Sequence, residues 1–312
     1  MSLRRLSGLL RWSLLVSSIL LSTALLTACS GSGTPDPGYR LDHDYPARAH
    51  DSRVQQLILH YTDENAPNSL AILTGPRVSS HYLLPVPSPR GERRVYQLVD
   101  ESRRAWHAGA SRWRGQSGLN ATSIGIEIVN DGPELDAATL SRRLADKDAE
   151  PPRWAPYPDA QVETLIALLR DIVERHDIAP ENILGHADIA PERKIDPGPA
   201  FPWQRLHEAG IGAWPDADKV AHYRRRFAER PPDLATLQAA LAEWGYALAP
   251  SGRLDERTRD VLRAFQMHFR PADYRGLPDV ESAARLWALL ATYRPEALER
   301  LDTPTRMNDV NP

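Results

Sequence analysis

The stretch Gly185-His186-Ala187-Asp188-Ile189-Ala190-Pro191-Glu192-Arg193-Lys194-Ile195-Asp196-Pro197-Gly198 decides how the chain is read. A short apolar run, Ile183-Leu184, precedes it and reads as a buried strand; a helix is expected from near Trp203. Pro191, Pro197, Gly198 and Pro199 exclude a regular element across it. A stiff polar loop at the end of a buried strand is a good place to hold catalytic groups. His186 and Asp196 carry side chains that ligate divalent metals, and Lys194 stands two residues from Asp196. The loop is therefore expected to supply two of three zinc ligands and a cation that offsets an oxyanion.

Working outward, Val54-Gln55-Gln56-Leu57-Ile58-Leu59-His60 reads as a central strand with His60 at its C-terminal end. A short helix follows, with Asn68 as its expected cap and Leu70, Ile72 and Leu73 turned inward. Ser80–Leu84 and Arg94–Val99 read as a paired second and third strand. Ser123–Asn130 is a fourth. Its alternation puts Ile124, Ile126 and Ile128 on one face and Gly125, Glu127 and Val129 on the other. Residues 131–158 are charged and proline-containing, the pattern of a surface insertion. Asp159 is expected to cap a long helix whose Val162, Leu165, Ile166, Leu169, Ile172 and Val173 form one apolar stripe. Strands interleaved with helices in this order predict an α/β fold, a mixed central sheet flanked by helices.

The 312 residues are 42% hydrophobic, enough for one sizeable core and a smaller second domain. The net charge of -3 and the lack of a dense basic stripe argue against nucleic acid as a partner. Residues 1–28 carry Arg4, Arg5 and Arg11, then an apolar run from Leu14 to Leu26, as a secretory signal does. The run ends Leu26-Thr27-Ala28-Cys29, which resembles the bacterial lipobox, so Cys29 is the expected lipidation site. Cys29 is the sole cysteine, so no intramolecular disulfide exists. Residues 29–49 read as a flexible tether spanning on the order of 25 Å.

The main domain is expected over 50–228, broken by Glu229-Arg230-Pro231-Pro232-Asp233. Three helical patterns follow over 229–296, with a tail over 297–312. Gly252-Arg253-Leu254-Asp255 and Gly276-Leu277-Pro278-Asp279 repeat one spacing ahead of two helices, each Asp being the expected cap.

A hydrolytic zinc site needs three protein ligands and one open position. His60, His186 and Asp196 make such a set. Glu127, a carboxylate on a strand of apolar residues and glycine, is either a base beside the metal or a solvated group on an open face. Lys194 is either the oxyanion cation or a surface lysine. Tyr82 either donates to the same oxygen or packs, and Trp106 and His107 either line a cleft or cover the core. Other hydrolase signatures fail. His207-Glu208 has Ile211 where a His-Glu-x-x-His helix needs its second histidine, and no Gly-x-Ser-x-Gly elbow is present.

Leu57–Thr62, Ser80–Leu84, Trp106–Gly109, Ser123–Glu127 and Gly185–Gly198, in that order, resemble the zinc N-acetylmuramoyl-L-alanine amidases of the type-2 amidase and peptidoglycan-recognition fold. With the lipobox and the C-terminal helices, the chain resembles the AmiD-type lipoprotein amidases. The resemblance implies one Zn2+ per chain on His60, His186 and Asp196. It makes Glu127 the acid/base and Lys194 the oxyanion-stabilising residue, with Tyr82 beside the metal. Leu237-Gln238, Gly245-Tyr246 and Ala264-Phe265-Gln266 resemble a three-helix peptidoglycan-binding domain. The implied partners are peptidoglycan and its muropeptides. The implied location is the outer membrane, facing the periplasm and held by the lipid anchor. The alternatives are a zinc peptidase acting on the stem peptide and a non-catalytic peptidoglycan-binding lipoprotein.

Overall fold

The computed structural model describes residues 39–40, 42–88, 90–135, 137–146, 149–150 and 152–302. The expected signal, Cys29 and most of the tether lie outside these residues, as does the end of the tail. The chain divides into two units, residues 1–50 and 51–312. The described residues of the first unit are exposed and carry no helix or strand.

Among the described residues the main sheet of the second unit has five strands in the order β3-β2-β6-β1-β7. These are β1 (Gln56–Tyr61), β2 (Tyr82–Leu84), β3 (Tyr96–Gln97), β6 (Ser123–Ile128) and β7 (Ile183–Gly185); β4 (Arg112–Trp113) and β5 (Gln116–Ser117) form a separate hairpin. β1 runs parallel to β6 and β7, and β2 parallel to β6, while β3 pairs antiparallel with β2, so the sheet is mixed. Helix α3 (Asp159–His176) covers one face. Its Val162, Leu165, Leu169 and Ile172 pack on Leu57, Leu59, Ile124, Ile126 and Ile128, all buried. Burying each such side chain contributes roughly 1.5–3 kcal/mol.

Several local expectations shift. Helix α1 (Ala66–Leu73) is capped by Asn65, not Asn68: the Asn68 amide donates to Asn65 Oδ1 at 3.0 Å. Pro67 sits in the first turn, where its missing N–H costs no helical hydrogen bond. Leu73 is buried, but Ile72 is 46% exposed. Pro158 takes the cap position of α3, and Asp159 is its first residue. The stretch after β7 is not wholly irregular, because α4 (His186–Ile189) forms one turn before Pro191 ends it. The insertion over 131–158 holds α2 (Ala137–Ala145) and turns Trp154 inward, where a Cβ on Gly198 would meet its ring at 2.5 Å.

After α5 (Trp203–Glu208) come α6 (Ala217–Glu229), α7 (Leu234–Trp244), α8 (Glu256–Phe269), α9 (Val280–Tyr293) and α10 (Pro295–Asp302). α6 lies before the expected break yet packs along α9, and α10 is helical where a tail was expected. The repeat is real in atoms. Asp233, Asp255 and Asp279 each accept from a backbone N–H three residues on, at 2.7–2.9 Å. Gln238 of α7 and Gln266 of α8 are both buried and make the same kind of bonds to the connection that follows each helix. Gln238 accepts from Gly252 N–H and donates to Arg253 O and Thr258 Oγ1. Gln266 accepts from Gly276 N–H and donates to Leu277 O and Ser282 Oγ.

An unpaired buried polar group costs about 1–3 kcal/mol. Gln266→Leu strands the Gly276 amide and the Leu277 carbonyl together. We expect urea denaturation to show a loss of about 2–4 kcal/mol at an unchanged slope.

Candidate active site

The parallel register sets His60 of β1 directly beside Glu127 of β6, so both side chains leave the same face at the strands' C-terminal ends. Leu59 pairs with Gly185 of β7, which delivers His186 to the same edge. Gly185 is required by packing, since a Cβ there would lie 2.6 Å from the Pro197 ring. The Ala187 amide donates to the Asp196 carbonyl at 2.9 Å and closes the loop, so two candidate ligands ten residues apart meet.

The three candidate ligand atoms form a near-equilateral triangle. His60 Nδ1 lies 2.9 Å from His186 Nδ1 and 3.0 Å from Asp196 Oδ2, and the last two are 3.1 Å apart. All three residues are buried. Nitrogen and oxygen ligands at 2.0–2.1 Å from a tetrahedral zinc stand about 3.3 Å apart. Two imidazoles and a carboxylate at this spacing fit that ion.

Both imidazoles are turned so that Nδ1 carries the free lone pair. His186 Nε2–H donates to the Ala108 carbonyl at 3.2 Å. Behind His60 runs a longer chain that also ends on a carbonyl. The Ser123 hydroxyl donates to Leu119 O at 2.7 Å and so accepts from His107 Nε2–H at 3.1 Å. His107 Nδ1 is left to accept from His60 Nε2–H at 3.0 Å. A carbonyl can only accept, so the tautomers follow. Gly125 makes room, because a Cβ there would fall 2.4 Å from the His107 ring. His107 is thus a support for His60 as well as a cleft residue. Ser123, which sequence reasoning missed, is legible only as a polar residue opening an apolar strand.

Electrostatics agree with an ionised Asp196 and a neutral His60. Burial alone would raise the Asp196 carboxyl, but His186 and His60 outweigh it and hold it well below the carboxylate range. Burial, then the neighbouring His186, lowers His60 to about 4. Burial also raises Glu127 to about 8, with Asp196 adding to the rise and Lys194 opposing it.

Glu127, Lys194, His107 and the three ligand candidates line one cleft of about 400 Å³. Trp106 lines it too and is 53% exposed. Ile72 and Val78 add exposed apolar wall. Tyr82 does not join them. It alternates onto the α3 face with Leu84, and its hydroxyl donates to Glu101 Oε1 at 2.7 Å. Glu101 is also held by Arg175 and His176, so Tyr82 belongs to a structural cluster behind the sheet.

In the metal-free protein the folded Glu127 holds a proton that the unfolded chain releases above its ordinary 4.5. Its contribution to stability is present below that value and is lost as pH rises toward about 8. Metal-free Glu127→Gln should therefore gain about 2–4 kcal/mol on the parent between pH 5 and pH 8, read by denaturant titration at each pH.

Residues 50–199 match the family model Amidase_2, N-acetylmuramoyl-L-alanine amidase, and residues 230–273 match a model for a peptidoglycan binding domain. The chain is 45% identical over 280 residues to the N-acetylmuramoyl-L-alanine amidase AmiD of Escherichia coli strain K12, covering 88% of this chain and 97% of that one. It is similar to the solved complex of E. coli AmiD with the substrate anhydro-N-acetylmuramic acid-L-Ala-D-gamma-Glu-L-Lys, at TM-score 0.72 and 46% identity over 82% of this chain and 96% of that one. It is also similar to AmpDh3 from Pseudomonas aeruginosa in complex with anhydromuramic pentapeptide, at TM-score 0.73 and 40% identity over 81% and 98%. The chain belongs to the N-acetylmuramoyl-L-alanine amidase family.

Proposed function

We propose that this protein hydrolyses the amide between the lactyl group of N-acetylmuramic acid, or its anhydro form, and L-alanine of the stem peptide. The observation that carries the reading is the triangle of two Nδ1 atoms and one carboxylate oxygen beside Glu127 in an open cleft. The similarity to AmiD and AmpDh3, solved with anhydromuramyl peptides, supports the substrate class.

His60, His186 and Asp196 would hold one zinc ion. Bound there, zinc lowers the pKa of water toward about 7 and polarises a carbonyl. Glu127 removes the proton from the attacking water and hands it to the leaving amine of L-alanine. Its place on β6 beside His60, lining the cleft, suits a group that takes a proton from water and passes it on. The Lys194 ammonium faces the cleft and offsets the negative charge that builds on the carbonyl oxygen. Trp106, with Ile72 and Val78, offers an apolar wall to the sugar and stem. Tyr82 takes no part.

The leader and Cys29 support a lipoprotein of the outer membrane that faces the periplasm. The C-terminal helices would bind the polymer and raise the local substrate concentration.

Digestion of purified muropeptides followed by mass spectrometry should release peptides beginning at L-alanine. Chelation should abolish the release and added zinc restore it. Cleavage within the stem peptide instead would overturn the assignment. His60→Ala should lose the metal and the activity together. Glu127→Gln should keep the metal while kcat falls at least about 100-fold. Lys194→Ala should lower kcat about 10- to 100-fold, with the metal retained.

A further inference from the structure

Asp188 lies two residues beyond His186 in α4, and its side chain is almost fully buried. Three donors converge on its carboxylate. Oδ2 accepts from the Gly185 amide and from His268 Nδ1–H, both at 2.8 Å, and Oδ1 accepts from the Tyr246 hydroxyl at 2.6 Å. The first donor belongs to the turn that carries His186. The other two come from the C-terminal helical region. Both of those rings are gripped by the sheet domain: Trp203 stacks on His268 at 3.7 Å, and Trp113 meets Tyr246 edge-on at 5.2 Å. A Cβ on Gly245 would lie 2.7 Å from the Trp113 ring, so the Gly245 backbone lies directly against that ring. Burial and Asp188 hold the Tyr246 phenol well above its ordinary value, so it remains a donor.

A buried carboxylate stripped of donors is costly, and the chain would reorganise to hydrate it. Here that reorganisation would begin at the first turn of α4, whose first residue is His186. A second brace acts at the far end of the same loop. Trp154 abuts Gly198, and its Nε1–H donates to the Tyr274 hydroxyl at 2.9 Å.

We propose that Tyr246 and His268 are positioning residues for the metal-ligating loop, acting through Asp188 to fix the turn from which His186 departs. The helical region then does more than hold polymer: it completes the packing of the catalytic loop, and its effect extends to small soluble substrates. The proposal rests on His60, His186 and Asp196 being the metal ligands.

The test uses the full chain carrying Tyr246→Phe, His268→Leu or His268→Asn. Zinc affinity is measured by competition with a chromophoric chelator, amide hydrogen exchange over residues 185–198 is followed in metal-free protein, and kinetics are taken on an anhydromuramyl tripeptide. Tyr246→Phe and His268→Leu should each bind zinc about tenfold more weakly and exchange faster over 185–198. Their kcat should fall while KM stays within about twofold. His268→Asn, which places an amide N–H near the lost Nδ1–H, should recover most of the affinity. Folded Tyr246→Phe with the parent's zinc affinity and exchange overturns the proposal, even if its melting temperature drops. Should Tyr246→Phe fail to fold, equal zinc affinity in His268→Leu and the parent overturns it. Absence of zinc binding in the parent would overturn the ligand assignment itself, a result visible without any variant.

Discussion

Two imidazole nitrogens and one carboxylate oxygen held about 3 Å apart are the constraint to which the rest of the structure answers. Three lone pairs that close repel one another and suffer from lost hydration. They stay together only if each group is locked from behind. The locks are hydrogen-bond chains that terminate on carbonyls, at Ala108 for His186 and at Leu119 for His60. A terminal acceptor fixes the direction of every donor before it, so the unprotonated nitrogen of each ring faces inward.

The sheet supplies the coarse placement and the loop the fine one. Parallel pairing puts His60 and Glu127 side by side with no freedom beyond that of the strands. His186 and Asp196 depend instead on one turn of helix, a backbone bond from Ala187 to Asp196, and the packing of Gly185 on Pro197. That loop is wedged between the sheet domain and the C-terminal helices. Its geometry therefore draws on residues as far apart as Ala108 and Tyr274.

The cluster of His60, His186 and Asp196, the place of Glu127 beside it and the mixed sheet were legible in sequence because each leaves a local mark: a histidine ending an apolar run, a carboxylate on the wrong side of an alternating strand, a loop stiffened by prolines. Tyr82 shows where such marks fail. Its neighbours repeat a familiar pattern, but in a strand one position decides the face, and Glu101 claims its hydroxyl from behind the sheet. Ser123 and Asp188 act only through partners remote along the chain. Trp154 likewise sits in a segment whose charge and prolines suggest exposure, and its partners Gly198 and Tyr274 come from elsewhere.

Ile72, Val78 and Trp106 border the cleft from α1 and from connecting segments, while His60, Glu127, His186 and Asp196 stand on strand ends and on the braced loop. Under the proposed function, recognition and reactivity thus fall to separate building blocks. Related chains can diversify in which wall fragments they admit by reshaping the border alone, leaving the bond-breaking apparatus untouched.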